Sequence, residues 1–263
     1  MRFNSSQPCT IMTHLFTKKF AILAVVLSML SSITHATIVE FQTSHGSFKV
    51  NLHDTTTPLT VENFLNYISS ERYNNTVIHR VVDDFVVQGG GYTFNNELPL
   101  KDIDIYDPVK NEPIYSNVRG TIAMAKQANS VNSATSQWFF NLSNNSTNLD
   151  LQNGGFTVFG EVIDDGMQVL DEIAALQRCG DVPVNDNSTN SCNNPGADNF
   201  VTVYQVLVLD DADNTDSSLN SIKNTLITQT PDTESNDDNS SGGSVFWLLL
   251  CLMPLAFRKH IHS

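Results

Sequence analysis

Residues Val77 to Tyr92 read VIHRVVDDFVVQGGGY. Two short β-branched runs flank an Asp-Asp pair, with Arg80, Phe85 and Gln88 set among them and three glycines behind. Short apolar runs of this kind bounded by turn residues are strands. The arginine is out of keeping, because the 263-residue chain holds only 14 Lys+Arg against 28 Asp+Glu. An arginine on a strand is ordinarily a solvated residue or half of a structural ion pair. The glycines do not form a phosphate loop, since they lack both the following Lys-Ser/Thr and the GxGxxG spacing. They are expected to permit a tight bend at a barrel edge.

Working outward, TIVEFQT and GSFKVNLH alternate apolar with polar residues around Ser44-His45-Gly46, as the strands of a hairpin do. TTPLTVENFLNYISSERY follows. Its Thr57 suits an N-cap, its Pro58 the first helical position, and Val61, Phe64, Leu65 and Ile68 make one apolar face. After a long polar loop, Asn95 to Asn117, come the strand candidates GTIAMA, SQWFFNL and FTVFGEVI. A second helix is expected over Asp164 to Leu176, and a last strand over Asn199 to Leu209. Many short strands with two helices predict a mainly β fold, a closed antiparallel barrel rather than an alternating α/β sheet.

The ends differ in character. Lys18-Lys19, the apolar run Phe20 to Leu30 and Thr34-His35-Ala36 have the three parts of an export signal, so residues 1–36 are expected to be removed, with Met12 a second candidate start. An uncleaved anchor is the alternative. Residues 37–209 form the expected domain and 210–239 an Asp-, Asn-, Ser- and Thr-rich acidic linker expected to be disordered. Residues 240–263 hold SSGGS, the apolar run Val245 to Phe257 and Arg258-Lys259; the run is shorter than the roughly 17–25 residues of a membrane span. Without the five basic residues of the terminal segments, nine remain against 28 acids, a formal charge of −19. That excludes nucleic acid as the expected partner, which needs a basic patch. Cys179 and Cys192 are the two cysteines between the terminal segments and bracket GDVPVNDNSTNS. A disulfide is the favoured reading. A metal site is the rival, though two thiols with no histidine nearby fall short of four ligands.

Three blocks together resemble the cyclophilins, the prolyl cis–trans isomerases. VIHRVVDDFVVQGGGY is similar to their FHRV-x-x-x-F-x-x-QGG signature. GTIAMAKQANSVNSATSQWFFNL (120–142) is similar to G-x-x-x-MA…S-A-x-SQFFI, and FTVFGEVIDDGMQVLDEI (156–173) to VFG-x-V-x-x-G-M-x-V-x-x-x-I. The resemblance runs from Ile38 to Leu209 and looks nearest to bacterial periplasmic members. It implies a closed eight-stranded antiparallel barrel capped by two α-helices, with a groove on the outer surface. By position it implies Arg80 and Gln88 as catalytic residues, with Phe85, Val86, Ala125, Phe139, Asn148, Leu149 and Phe156 binding substrate. It implies no cofactor and no metal. Its partners would be proline-containing polypeptides. The tail resembles the GlyGly-CTERM sorting signal of Gram-negative bacteria, which implies signal peptidase and a rhombosortase-like protease as processing partners, and transient membrane association. The product would lie in the periplasm, on the outer surface or outside the cell. A plain C-terminal anchor is the alternative for that tail.

Two positions depart from the cyclophilin pattern. Asn148 stands where many members carry Trp or Phe, and Phe156 where they carry His or Tyr. Losing a rim aromatic removes apolar contact, so cyclosporin is expected to bind weakly or not at all while short proline peptides still turn over. The alternative function is a non-catalytic proline-peptide-binding chaperone or surface interaction module.

Overall fold

The computed structural model describes residues 37–186, 192–210 and 219–227. The expected export signal and sorting tail lie outside the described residues. Among the described residues, no helix is long and apolar enough to cross a membrane.

Eight strands stand where the alternation places them: β1 (Ile38–Thr43), β2 (Gly46–Leu52), β4 (Arg80–Val82), β5 (Val86–Gly89), β8 (Thr121–Met124), β9 (Trp138–Asn141), β10 (Val158–Ile163) and β13 (Thr202–Asp210). Five two-residue strands join them: β3 (Thr76–Val77), β6 (Tyr92–Thr93), β7 (Lys101–Asp102), β11 (Arg178–Cys179) and β12 (Val182–Pro183). Eleven make one antiparallel sheet in the order β4-β5-β9-β8-β10-β2-β1-β13-β3-β6-β7, and β11 and β12 form a separate hairpin.

The expected closed eight-stranded barrel is therefore corrected to an open, curled eleven-stranded sheet. The reason lies in the opening stretch. Val77 pairs with β13 while Arg80 pairs with β5, far along the ladder, and Ile78-His79 between them belongs to neither strand. Those two residues still make single bonds to each side, Ile78 N–H to Val201 O and His79 N–H to Gln88 O. Continuity of the chain, not a ladder of hydrogen bonds, links the two regions. Beyond β3 the order continues with β6 and β7, so the sheet has two edges.

Among the described residues the α-helices are α1 (Pro58–Ser69), the single turn α2 (Ser146–Leu149) and α3 (Gly166–Ala174). The expected count of two omits α2, which is too short to show a period. Thr57 does not cap α1 with its side chain; its hydroxyl donates to His53 O instead. The first amides of α1 are satisfied from a distance, by Glu112 of the long loop, which accepts from Leu59 N–H and Thr60 N–H. A carboxylate there also meets the positive end of the helix dipole.

The main core lies inside the curl, where Phe41, Phe64, Trp138, Phe140 and Phe159 are fully buried. Close side chains explain the three glycines better than a bend does, Trp138 at Gly89 and Gly90 and Gln137 at Gly91. A β-carbon on Gly89 would stand 2.6 Å from the Trp138 ring, and one on Gly90 2.5 Å from its Nε1. Only Gly90 of the three has a positive φ, +76°. Cys179 and Cys192 are joined by a disulfide, which settles that pairing in favour of a crosslink. The hairpin β11–β12 lies along β4. Val81 N–H donates to Asp181 O, and the Arg178 guanidinium reaches Val81 O and the Asp83 carboxylate.

One expectation for the linker changes. Residues 219–227 do not stand free as part of a disordered 210–239 segment but are hydrogen-bonded to the domain, for example through Ser116 N–H to Ile222 O.

Candidate active site

Strand pairing puts the expected residues in line. Arg80 is opposite Gln88, Gln88 opposite Phe139, and Phe139 opposite Ala123, which in turn faces Val158. Directly opposed residues share a face, and neighbours along a strand alternate. The next row, Val81, Val87, Phe140 and Ile122, accordingly belongs to the main core. Arg80 thus points from a strand to the outside of the curl, which accounts for a guanidinium in an apolar segment.

That outer face carries its own apolar cluster, separate from the core: Val86, Ala123, Ala125, Phe139, Leu149, Phe156 and Val158, with Phe85 and Tyr115 packed against it. Every expected apolar contact residue is in it. Phe139 and Phe156 meet edge to face, with centroids 5.8 Å apart. Asn148 sits on α2 beside Leu149, half-exposed, and contributes no apolar surface.

The polar end of the row is held loosely. Arg80 Nη1 donates to Gln88 Oε1 at 3.4 Å, and its Nε lies 3.6 Å from the Asp181 carboxylate. Asp181 is largely exposed, so this pair contributes little to stability. Among the described residues, Nη2 has no hydrogen-bond partner. Burial lowers the arginine pKa and the Asp181 charge opposes that shift. A guanidinium stays charged under either influence. Gln88, 5% exposed, donates from Nε2 to Gln137 Oε1 at 2.9 Å. His79, the neighbour of Arg80, packs edge-on against Tyr92. Burial and then the Arg80 charge push its imidazole down to about 4, so it remains neutral.

Three contributors escaped the sequence reading. Gln137 extends the polar row; it lies two residues before Phe139 in SATSQWFF, and alternation alone would have put both on one face. Lys126, 4% exposed, donates from Nζ to Asn153 O at 2.7 Å and Gly155 O at 2.6 Å, and stands 4.8 Å over the Phe156 ring. Burial pushes its ammonium down to about 8. Asp150, fully buried, accepts from the Ser116 hydroxyl and from Asn117 N–H and Nδ2, fixing the turn after Leu149. Nothing near Lys126 or Asp150 in sequence announces these partners. Among the described residues no group of three or more His, Cys, Asp or Glu could hold a metal ion. A separate cavity of about 440 Å³ between α1 and residues 106–110 contains none of the expected site residues.

Known proteins resemble this chain over most of the described domain. The family described as cyclophilin type peptidyl-prolyl cis-trans isomerase/CLD matches residues 38–194. The chain is 40% identical over 157 residues to a peptidyl-prolyl cis-trans isomerase of Acinetobacter baylyi, covering 57% of this chain and 80% of that one. It is 41% identical over 160 residues to peptidyl-prolyl cis-trans isomerase B of Escherichia coli, covering 57% and 94%. To peptidyl-prolyl cis-trans isomerase A of Dickeya dadantii it is 39% identical over 170 residues, covering 59% and 85%. With the family model matching residues 38–194 and these relatives at 39–41% identity, the chain belongs to the cyclophilin-type peptidyl-prolyl cis-trans isomerase family.

Proposed function

We propose that the protein is a peptidyl-prolyl cis-trans isomerase that acts on X–Pro bonds of exported polypeptides and assists their folding. One observation carries the reading: Arg80 and Gln88 lie in the same cross-strand row as Phe139, at the border of an apolar cluster outside the main core. Rotation about a peptide bond faces a barrier of ~18–20 kcal/mol because amide resonance is lost midway. At that midpoint the proline nitrogen becomes pyramidal and its lone pair can accept a hydrogen bond. A guanidinium donor aimed there stabilises the twisted form more than either planar isomer, which is the requirement for catalysis. Phe85, Val86, Phe139, Leu149 and Phe156 hold the proline ring, Ala125 lines the groove beside it, and Gln88 holds the carbonyl side. No covalent intermediate and no cofactor enters this scheme.

Location is part of the proposal. The signal-like residues 1–36, the acidic composition and the crosslinked Cys179–Cys192 pair favour an oxidising exported setting. Processing by signal peptidase and by a rhombosortase-like protease at the SSGGS tail, with transient membrane association, completes it.

A protease-coupled assay with a short proline peptide tests the activity. Removing one transition-state donor costs about 10²–10³ in rate. The expected result is a loss of that size for Arg80→Ala, with the fold unchanged by circular dichroism. A wild-type rate equal to that of Arg80→Ala sinks the proposal and leaves a proline-binding module in its place.

A further inference from the structure

The family match ends at residue 194, yet a segment well beyond it returns to the site. Residues 219–227 run beside Ile114 to Ser116, with Ser116 N–H donating to Ile222 O at 2.8 Å, Asn224 N–H to Ile114 O at 2.9 Å, and Tyr115 and Lys223 paired as a bridge. Tyr115 itself packs on the outer apolar cluster. The segment then turns on Asn224. Its Oδ1 accepts from Leu226 N–H and Ile227 N–H, and its Nδ2 donates to Asp150 O at 2.9 Å. Asn224 is 7% exposed, so both ends of its amide are committed in a buried place. Ile227 lies over Gly155, where an added β-carbon would stand 3.3 Å from its Cδ1.

Asp150 and Gly155 are the first and last residues of the loop that joins Leu149 to Phe156, two members of the pocket cluster. That loop has no ladder to hold it. Asn153, Gly154 and Gly155 all have positive φ, and their carbonyls are held by side chains: Lys126 on Asn153 and Gly155, Asn111 on Gly154 and Gly155. Asn224 adds the bond at the Asp150 end. Ordering nine linker residues costs backbone entropy, which these contacts must offset.

We infer that Leu219–Ile227 is a positioning element of the candidate site, which clamps the Leu149–Phe156 wall in the shape that receives a proline ring. This rests on the isomerase reading. The wall touches the ring in the planar and twisted states alike, so loosening it weakens both and appears in KM rather than kcat.

The test replaces residues 219–227 by nine Gly/Ser residues in the full-length chain. Expected are a KM for a short proline peptide raised about five-fold with kcat within two-fold. Amide hydrogen exchange over residues 150–156 should be at least about ten-fold faster, and a synthetic 219–227 peptide added in trans should reverse both changes. Asn224→Ala is the milder variant, expected to move KM and exchange the same way by about three-fold, and it decides the matter if the replacement does not fold. Unchanged KM and exchange in a folded variant, or equal losses in kcat with KM constant, overturn the inference. If the wild type has no Arg80-dependent turnover, the isomerase reading fails by itself, while exchange over 150–156 still decides whether the segment clamps the loop.

Discussion

Arg80, Gln88 and Phe139 stand on paired strands, whereas Leu149 and Phe156 stand at the two ends of an irregular loop. The first three are placed by backbone ladders, and their orientation follows from alternation within a few residues. The other two are placed by side chains that come from residues 111, 117, 126 and 224 to hold the intervening turn. One wall of the pocket is thus local in origin and the other is held by four side chains, three from residues 111–126 and one from residue 224. The strand wall should fail only when a strand residue itself is changed. The loop wall should be adjustable from afar.

The strongest test of that contrast leaves the pocket untouched. Phe140 is the inward neighbour of Phe139, with its ring 5.3 to 5.4 Å from those of Phe41, Phe48 and Trp138. Phe140→Ala is expected to cost about 3–5 kcal/mol in urea unfolding, while the folded fraction keeps its rate per molecule. Arg80→Ala reverses the pattern, losing the rate stated above, a barrier change of about 2.7–4 kcal/mol, with little effect on the urea midpoint. If Phe140→Ala lost rate per folded molecule as severely as Arg80→Ala, the two faces would not be independent.

A pH titration asks whether the fold fails before the groove does. Burial pushes both His53 and His79 down to about 4 from 6.5. His53 Nε2 lies 3.7 Å from Glu161, but the loss of hydration outweighs that carboxylate and the imidazole stays neutral. Below 6.5 the unfolded chain takes up protons that the native protein refuses, so stability falls as pH drops from 6.5 toward 4. The contribution of His53 to that fall is on the order of 1–3 kcal/mol. Urea midpoints at pH 7 and pH 4.5 should differ measurably more in the wild type than in His53→Phe; an equal difference would place the acid sensitivity elsewhere.

The smallest expected effect concerns the rim. Asn148→Phe restores an aromatic beside Leu149 and should lower KM for a proline peptide about three- to ten-fold, the equivalent of roughly 1 kcal/mol of new apolar contact. Isothermal titration with cyclosporin should show weak or no binding to the wild type and a gain in this variant. Nanomolar binding to the wild type would mean that the rim aromatic is dispensable.

Legibility in the sequence follows the same division. VIHRVVDDFVVQGGGY and SQWFFNL each declare their strands and faces, because both neighbours that matter lie within two residues. Closure could not be read that way. Whether Ile78 and His79 complete a ladder depends on what β5 and β13 offer from opposite sides. The hold of Asn224 on Asp150 spans 74 residues, and nothing in a Ser- and Asn-rich stretch distinguishes an asparagine that docks from one that stays in solvent. The cap of α1 was misplaced for a like reason: Thr57 has the expected position, but Glu112 comes 52 residues later to take the Thr60 amide.

The β11–β12 hairpin, which Cys179–Cys192 ties to a later segment, has a further consequence at the flank of the sheet. β4 is a terminal strand, and an uncovered terminal strand is a template on which another molecule can add its own strand. Here both backbone groups of Val81 are already taken, the amide by Asp181 and the carbonyl by Arg178. The crosslink beside that cover is therefore expected to guard against self-association as well as unfolding. A thiol reductant should produce aggregates at concentrations where the oxidised protein remains dispersed.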